Sequence, residues 1–237
     1  MILHLYVVRH GQTYLNKYHR MQGWSDSPLT ESGVADARAA GERLKGVRFS
    51  AAYCSDTTRA ERTAQTILDA NEQSGSIKRP MRSLFFREQF YGYFEGQDMD
   101  ASWYAAGAPH GAKTYNDIVA KFGAAAAKDF LKQADPFHDA ESDDEYWARV
   151  AAGYGLIARQ AREGCGQWGP LRDGDNILQI SHGNTLLGLA ERFGGPELDT
   201  SVRPRNGSLS IFDFDVDADF DRCLRVVSYN RQDGGGR

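Results

Sequence analysis

At 237 residues, with 41% hydrophobic and 25% charged residues, the chain has an ordinary globular composition and enough length for one sizeable core. Its formal net charge of −4 argues against bulk nucleic acid as a partner, because such proteins carry a basic surface excess. A small anionic substrate stays open, since a locally basic pocket can sit on an acidic body.

The apolar run from Ile2 to Val8 predicts a buried first strand ending in Arg9-His10-Gly11. It has no basic leader and charge arrives at Arg9, so it is too short for a signal or membrane helix. No membrane contact and a cytoplasmic location are therefore expected. A polar loop follows, then a helix starting after Thr30 and running to about Leu44. Ala51 to Cys54 predicts a second strand, and Ser55 is placed to cap a helix carrying Arg59, Thr63, Ile67 and Leu68. Met81 to Phe86 predicts a third strand. Between Gln97 and Glu141 the pattern is irregular, with one helix expected from Thr114 to Leu131.

Ser142-Asp143-Asp144-Glu145 fits a capping box opening a helix towards Arg162. Asn176 to Ile180 predicts a strand leading through Ser181-His182-Gly183 into a helix near Leu186 to Phe193. Two late strands, Ser208 to Phe214 and Leu224 to Ser228, precede a tail over 231–237 that is expected to be disordered. Alternation of strands and helices is the α/β signature, and with no repeat or long linker a single domain over 1–230 is expected.

Cys54, Cys165 and Cys223 show no C-x-x-C spacing, which fits free thiols in a reducing compartment. The alternating aspartates from Asp213 to Asp221 lack the glycine and glutamate of a calcium loop, since Ala218 and Leu224 stand there. No metal site is expected. His4, His19, His110 and His138 have no partner spacing and are read as structural.

Three elements place a cationic or titratable group just past a predicted strand: Arg9-His10-Gly11, Arg59, and Ser181-His182-Gly183. In open α/β sheets that edge is where ligands bind. A transferring phosphoryl group carries charge on its equatorial oxygens, so it needs cations, N–H donors and an in-line nucleophile. Two arginines, two histidines and glycines permitting close backbone approach are suitable parts.

Arg-His-Gly alone is a weak signal; its context is specific. Val8-Arg9-His10-Gly11-Gln12-Thr13, Asn16 and Gln22-Gly23-Trp24-Ser25-Asp26-Ser27-Pro28-Leu29-Thr30 resemble the opening of the histidine phosphatase superfamily, the phosphoglycerate mutase-like family. Ser55 to Ala60 with Thr63-Ala64 resembles its second block, Arg87-Glu88 with Gly92 and Glu95-Gly96 its third, and Ser181-His182-Gly183 its fourth. The blocks occur in family order. The resemblance implies a three-layer α/β/α sandwich with a mostly parallel central sheet and a helical insertion, about 97–141, over the pocket. It also implies that His10 attacks phosphorus, that Arg9 and Arg59 grip the phosphate bidentately and favour the neutral ring, and that Asn16 donates an amide N–H to it. His182 would be a second donor, Glu88 the proton donor and later the base, and Gln22, Gly23, Tyr91, Gly11 and Gly183 would lie on the substrate or phosphate side. No step needs a metal or cofactor.

Phosphatases and mutases of this family share the phosphohistidine. The cofactor-dependent mutases typically read Glu-Arg-His-Tyr-Gly in the third block and carry a later arginine pair. Here Glu88-Gln89-Phe90-Tyr91-Gly92 loses the basic pair, and Gln97 to Ala106 contains no arginine. The resemblance thus favours a phosphatase acting on small phosphomonoesters, with the mutase as alternative. Of the aromatics from Phe85 to Tyr104, some are expected in the core and others along a larger, less charged cavity. A non-catalytic phospho-ligand binder is the third reading, disfavoured because nucleophile and cations are all present. Whether the chain forms a homo-oligomer stays open.

Overall fold

The computed structural model describes residues 1–232; the end of the expected tail, 233–237, lies outside the described residues. In β1 (Ile2–Arg9) successive side chains point to opposite faces, and both faces are apolar: Leu3, Leu5 and Val7 on one, Tyr6 and Val8 on the other. A strand buried on both faces needs helices on both sides, and the rest of the chain supplies them.

In chain order, β1 is followed by a single turn α1 (Tyr14–Lys17), α2 (Glu31–Leu44), β2 (Phe49–Cys54), α3 (Thr58–Ala70) and a two-residue β3 (Met81–Arg82). Then come α4 (Met99–Gly107), α5 (Tyr115–Phe122), α6 (Ala124–Ala134), α7 (Asp143–Glu163), β4 (Asn176–Ser181), α8 (Gly183–Phe193), β5 (Leu209–Asp215) and β6 (Leu224–Arg231). The sheet order is β3-β2-β4-β1-β5-β6, with parallel pairing from β3 to β1 and antiparallel pairing from β1 through β6. Helices α7 and α8 pack on the face of Leu3, Leu5 and Val7; α2 and α3 pack on the face of Tyr6 and Val8. This is the expected three-layer arrangement. Over it, α4, α5 and α6 share a separate apolar cluster around Trp103, Ile118 and Leu131 that also takes in Met21, Tyr91 and Phe94. Among the described residues no helix is long and apolar enough to cross a membrane.

Several element boundaries differ from expectation. The helix after β2 is not capped by Ser55: it begins at Thr58, and the Ser55 hydroxyl is shared between Thr57 Oγ1 at 2.8 Å and His182 Nε2 at 2.9 Å. The third strand stops at Arg82 because the Ser83 hydroxyl accepts the Phe85 N–H at 3.2 Å and turns Leu84–Phe86 into a 3-10 turn. The single helix from Thr114 to Leu131 is two helices. Gly123, at φ 86° and ψ 166°, breaks them in a backbone region essentially reserved for glycine. Helix α4, capped by Asp98 onto the Ala101 N–H, was not anticipated. The last strand runs to Arg231 rather than Ser228. Cys54, Cys165 and Cys223 are free, the first and last buried.

Candidate active site

Register places the two histidines. β1 and β4 pair in parallel with Arg9 opposite Ser181, so His10 and His182 leave the sheet side by side, ring centroids 5.1 Å apart. β2 adjoins β4 on the other side, and Arg59 is the second residue of the helix that follows it. The parallel strands thus deliver all three groups to one edge, as the α/β rule requires.

His10 is 3% exposed, and its Nδ1 donates to the Gly11 carbonyl at 2.8 Å. A carbonyl can only accept, so the proton sits on Nδ1 and Nε2 keeps its lone pair. Burial first, then the charges of Arg59 and Arg9, push the His10 pKa well below its ordinary value. The result is a neutral imidazole with one nucleophilic nitrogen.

Arg9 donates through Nη1 to the Pro204 carbonyl at 2.6 Å. Burial pulls its pKa down to about 10, against the pull of Glu88, and it stays protonated at neutral pH. Gly183 lets this guanidinium lie against the first turn of α8, since a Cβ there would stand 3.2 Å from Arg9 Nε. Arg59 is fully buried and largely committed: Nη1 donates to the Ser25 carbonyl at 2.8 Å and Nη2 to the Gly23 carbonyl at 2.6 Å, with a longer contact to His182 Nδ1 at 3.3 Å. Its terminal nitrogens therefore hold the 23–26 loop, while its Nε has no acceptor among the described residues. His182, with Nδ1 facing Arg59 and Nε2 donating to Ser55 Oγ, is likewise engaged by protein. Burial, with Arg59 next, pushes its pKa well down too.

Glu88 is 4% exposed. Its Oε1 accepts the Gln89 N–H at 3.0 Å and the Thr185 hydroxyl at 2.8 Å; Oε2 accepts the Asn184 N–H at 2.7 Å. Gln22 accepts the Thr13 hydroxyl at 2.6 Å through Oε1, and Asn16 accepts the Thr13 N–H at 3.2 Å through Oδ1, which leaves their amide NH2 groups as donors. Arg9 Nε, Arg59 Nε and Gln22 Nε2 are buried with no acceptor among the described residues. Buried donors without partners are costly, and a cluster of them beside a nucleophile suits an anionic guest.

These groups meet at a cavity of about 390 Å³. Arg9, His10, Asn16, Gln22, Glu88, Tyr91 and Gly183 line it. Arg59, His182, Gly11 and Gly23 adjoin these residues and are buried. Gly11 serves packing: a Cβ there would meet the Gly33 carbonyl at 2.1 Å. Gly23 supplies the carbonyl that holds Arg59.

The cavity is more cationic than expected. Arg20, Lys113 and Arg203 lie on its wall, whereas of the eight aromatics from Phe85 to Tyr104 only Tyr91 and Trp103 do. Phe86 and Phe94 are core, Phe90 packs against Trp24 with centroids 4.7 Å apart and rings tilted by 31°, and Tyr93 and Tyr104 are exposed. His19, read as structural, also lines the cavity and meets Asp100 at 3.2 Å. Arg203 lies over the Tyr115 ring at 5.1 Å and donates to Asn184 Oδ1. Arg20, Lys113 and Arg203 carried no strand-end signal, because one lies in an early loop and two on segments brought in from the cap and from the loop after α8.

A family profile described as the histidine phosphatase superfamily (branch 1) matches residues 5–225. Among curated proteins, a 2,3-bisphosphoglycerate-dependent phosphoglycerate mutase of Brucella anthropi is 42% identical over 194 residues, 81% of each chain. One from Bradyrhizobium is 36% identical over 139 residues, 56% of this chain and 65% of that enzyme, so the match spans less than two thirds of its length. Of solved structures, a phosphoglycerate mutase from Bacillus anthracis superposes with TM-score 0.82 at 32% identity, over 98% of this chain and 94% of that one. An alpha-ribazole phosphatase from Shigella flexneri shares the fold, with TM-score 0.65 at 20% identity over 99% of both chains.

Proposed function

The chain belongs to the histidine phosphatase superfamily, and from that premise we propose that it hydrolyses small phosphomonoesters through a phosphohistidine formed on His10. The observation that carries this reading is the neutral His10, its proton fixed on Nδ1 and its Nε2 free, beside the unpaired donors of Arg9, Arg59 and Gln22. Nε2 attacks phosphorus in line, the P–O bond opens, and Glu88 gives its proton to the leaving oxygen. Water then attacks the phosphohistidine while Glu88 takes back a proton, and the P–N bond breaks to release phosphate. Arg9, Asn16, Gln22 and the N-terminus of α8 supply the charge and donors that stabilise the transferring group. Arg59 adds its unpaired Nε to these donors while its terminal nitrogens, like His182, are hydrogen-bonded to protein, and no step requires a metal. In this reading residues 1–230 act as one catalytic unit, with the helices within 97–141 as its cap.

Water as acceptor is favoured by the third block. The Gln89 side chain is buried, 3.4 Å from the Glu141 carbonyl, and Phe90 packs against Trp24, so neither places charge in the cavity. Mutase-type transfer is the second reading. Arg20, Lys113 and Arg203 provide cations for a second anionic group on the substrate, and the Brucella and Bacillus relatives carry the mutase name.

Product analysis on a panel of alkyl phosphomonoesters, phosphoglycerates included, separates the readings. The expected result is one phosphate released per substrate consumed, unchanged by EDTA. Rapid interconversion of phosphoglycerates with little free phosphate would overturn hydrolysis in favour of transfer.

A further inference from the structure

A carboxylate offers four in-plane lone-pair positions, two on each oxygen. In Glu88 both positions on Oε1 are taken, by the Gln89 N–H and the Thr185 hydroxyl, while Oε2 accepts only the Asn184 N–H among the described residues. The Thr185 hydroxyl has one hydrogen, and Tyr146 settles where it points. The Tyr146 phenol donates to Thr185 Oγ1 at 3.0 Å, so that oxygen directs its own hydrogen to Glu88. Tyr146 is 1% exposed, and burial, followed by the nearby Glu88 charge, holds its phenol well above the ordinary range. It stays a donor throughout the working pH range.

Thr185 stands on α8 and Tyr146 on α7, so two helices fix the rotamer of a carboxyl carried by a loop. The charged and titratable groups facing Glu88 are Arg9 of β1, Arg59 of α3, Tyr91, Tyr115 of α5, and Tyr146 and Arg149 of α7. Of these, Tyr146 is the one hydrogen-bonded to the Thr185 hydroxyl.

We infer that Thr185, backed by Tyr146, is the positioning residue of the proton donor: it saturates Oε1 of Glu88 and leaves Oε2 as the oxygen that carries the transferable proton. The inference rests on Glu88 being that donor. In the first step the O–H bond at Oε2 breaks as the leaving oxygen takes the proton, the P–O bond opens and the P–N bond to His10 forms. Glu88 is left ionised, its charge held by three donors. In the second step the attacking water gives a proton to the same Oε2 and the P–N bond breaks. The hydrogens of Thr185 and Tyr146 do not move.

The test compares leaving groups. An alkoxide needs a proton to depart, whereas dinitrophenolate does not, so kcat/KM for an alkyl phosphate reads the proton donor and kcat/KM for 2,4-dinitrophenyl phosphate does not. Thr185→Val keeps the shape and removes the hydroxyl. It is expected to lower kcat/KM about tenfold on the alkyl ester and less than about twofold on the dinitrophenyl ester. Thr185→Ser restores the alkyl activity, and Tyr146→Phe shows the same bias at about threefold. Equal losses on both esters, or no loss on the alkyl ester, overturn the inference; if Thr185→Val fails to fold, Tyr146→Phe carries the same test. Glu88→Gln separates this failure from failure of the premise. If Glu88→Gln shows the leaving-group bias and Thr185→Val does not, only the positioning role is lost; if Glu88→Gln shows none, Glu88 is not the donor.

Discussion

His10 is kept neutral by three causes acting together: burial, the charge of Arg59 and the charge of Arg9. His182 is pushed the same way. A histidine whose folded pKa lies below its unfolded value of about 6.5 binds fewer protons folded than unfolded, so its contribution is intact above that value and is lost as pH falls below it. Each of the two can cost at most about 2 kcal/mol at pH 5, given about 1.36 kcal/mol per pH unit. Asp36 and Glu191, whose carboxyls burial pushes upward, act in the opposite sense, so a difference is the proper readout. Urea midpoints should fall between pH 7 and pH 5, and His10→Gln should flatten that fall. An unchanged slope in the variant would mean that His10 is not held neutral. At this scale, Arg9, His10, Arg59 and His182 were legible because each lies at a strand or helix end, and Glu88, on a loop, only through its family block. Thr185 and Tyr146 were not legible: their importance comes from a hydrogen-bond chain across 39 residues of sequence, which no local pattern encodes.

The loop from Gly23 to Ser25 packs through Trp24 against Phe90, and a carboxylate fixes its backbone. Glu95 accepts the N–H groups of Gly23, Trp24, Ser25 and Tyr91 at 2.8–3.1 Å. The Gly23 and Ser25 carbonyls so fixed are the acceptors that orient Arg59. Glu95→Gln puts an NH2 where two of those N–H groups need an acceptor. The expected loss is about 3 kcal/mol of stability in urea unfolding, with a raised KM for phosphomonoesters as Arg59 loosens. A change within about 0.5 kcal/mol and an unaltered KM would show that the loop is held by something else. Elements with a strong local signal were read correctly: α2 behind Thr30 and α7 behind its Ser142–Glu145 capping box. The cap was read less well. Its helices are short, α4 has a mixed face, and the α5–α6 break hinges on the single Gly123, whose backbone a helical pattern does not anticipate. Arg149 shows the same limit. It pairs with Glu141 through Nε at 2.6 Å and donates to the Phe85, Arg87 and Glu88 carbonyls, bracing the segment that bears the proton donor. On α7 its sequence context is that of any solvated helix arginine.

Across the molecule, an acidic body with net charge −4 concentrates Arg9, Arg20, Lys113 and Arg203 at one cavity, which favours capture of small anions over nucleic acid. The sheet explains where that cavity is. With β1 and β4 adjacent and β2 beside them, the ends of three parallel strands converge, and the α4–α6 cluster closes over the same edge. The α/β class and the strand-end site followed from alternation and motif order; the cationic wall did not, because it is assembled from loops that meet only in the folded chain. The central claim is that the phosphoryl group passes covalently through His10. Rapid quenching of turnover in alkali, followed by peptide mass spectrometry, tests it most directly. The account predicts an acid-labile phosphoryl adduct on the peptide containing His10, absent in His10→Ala. Turnover with no adduct, or with the adduct on another side chain, would contradict it.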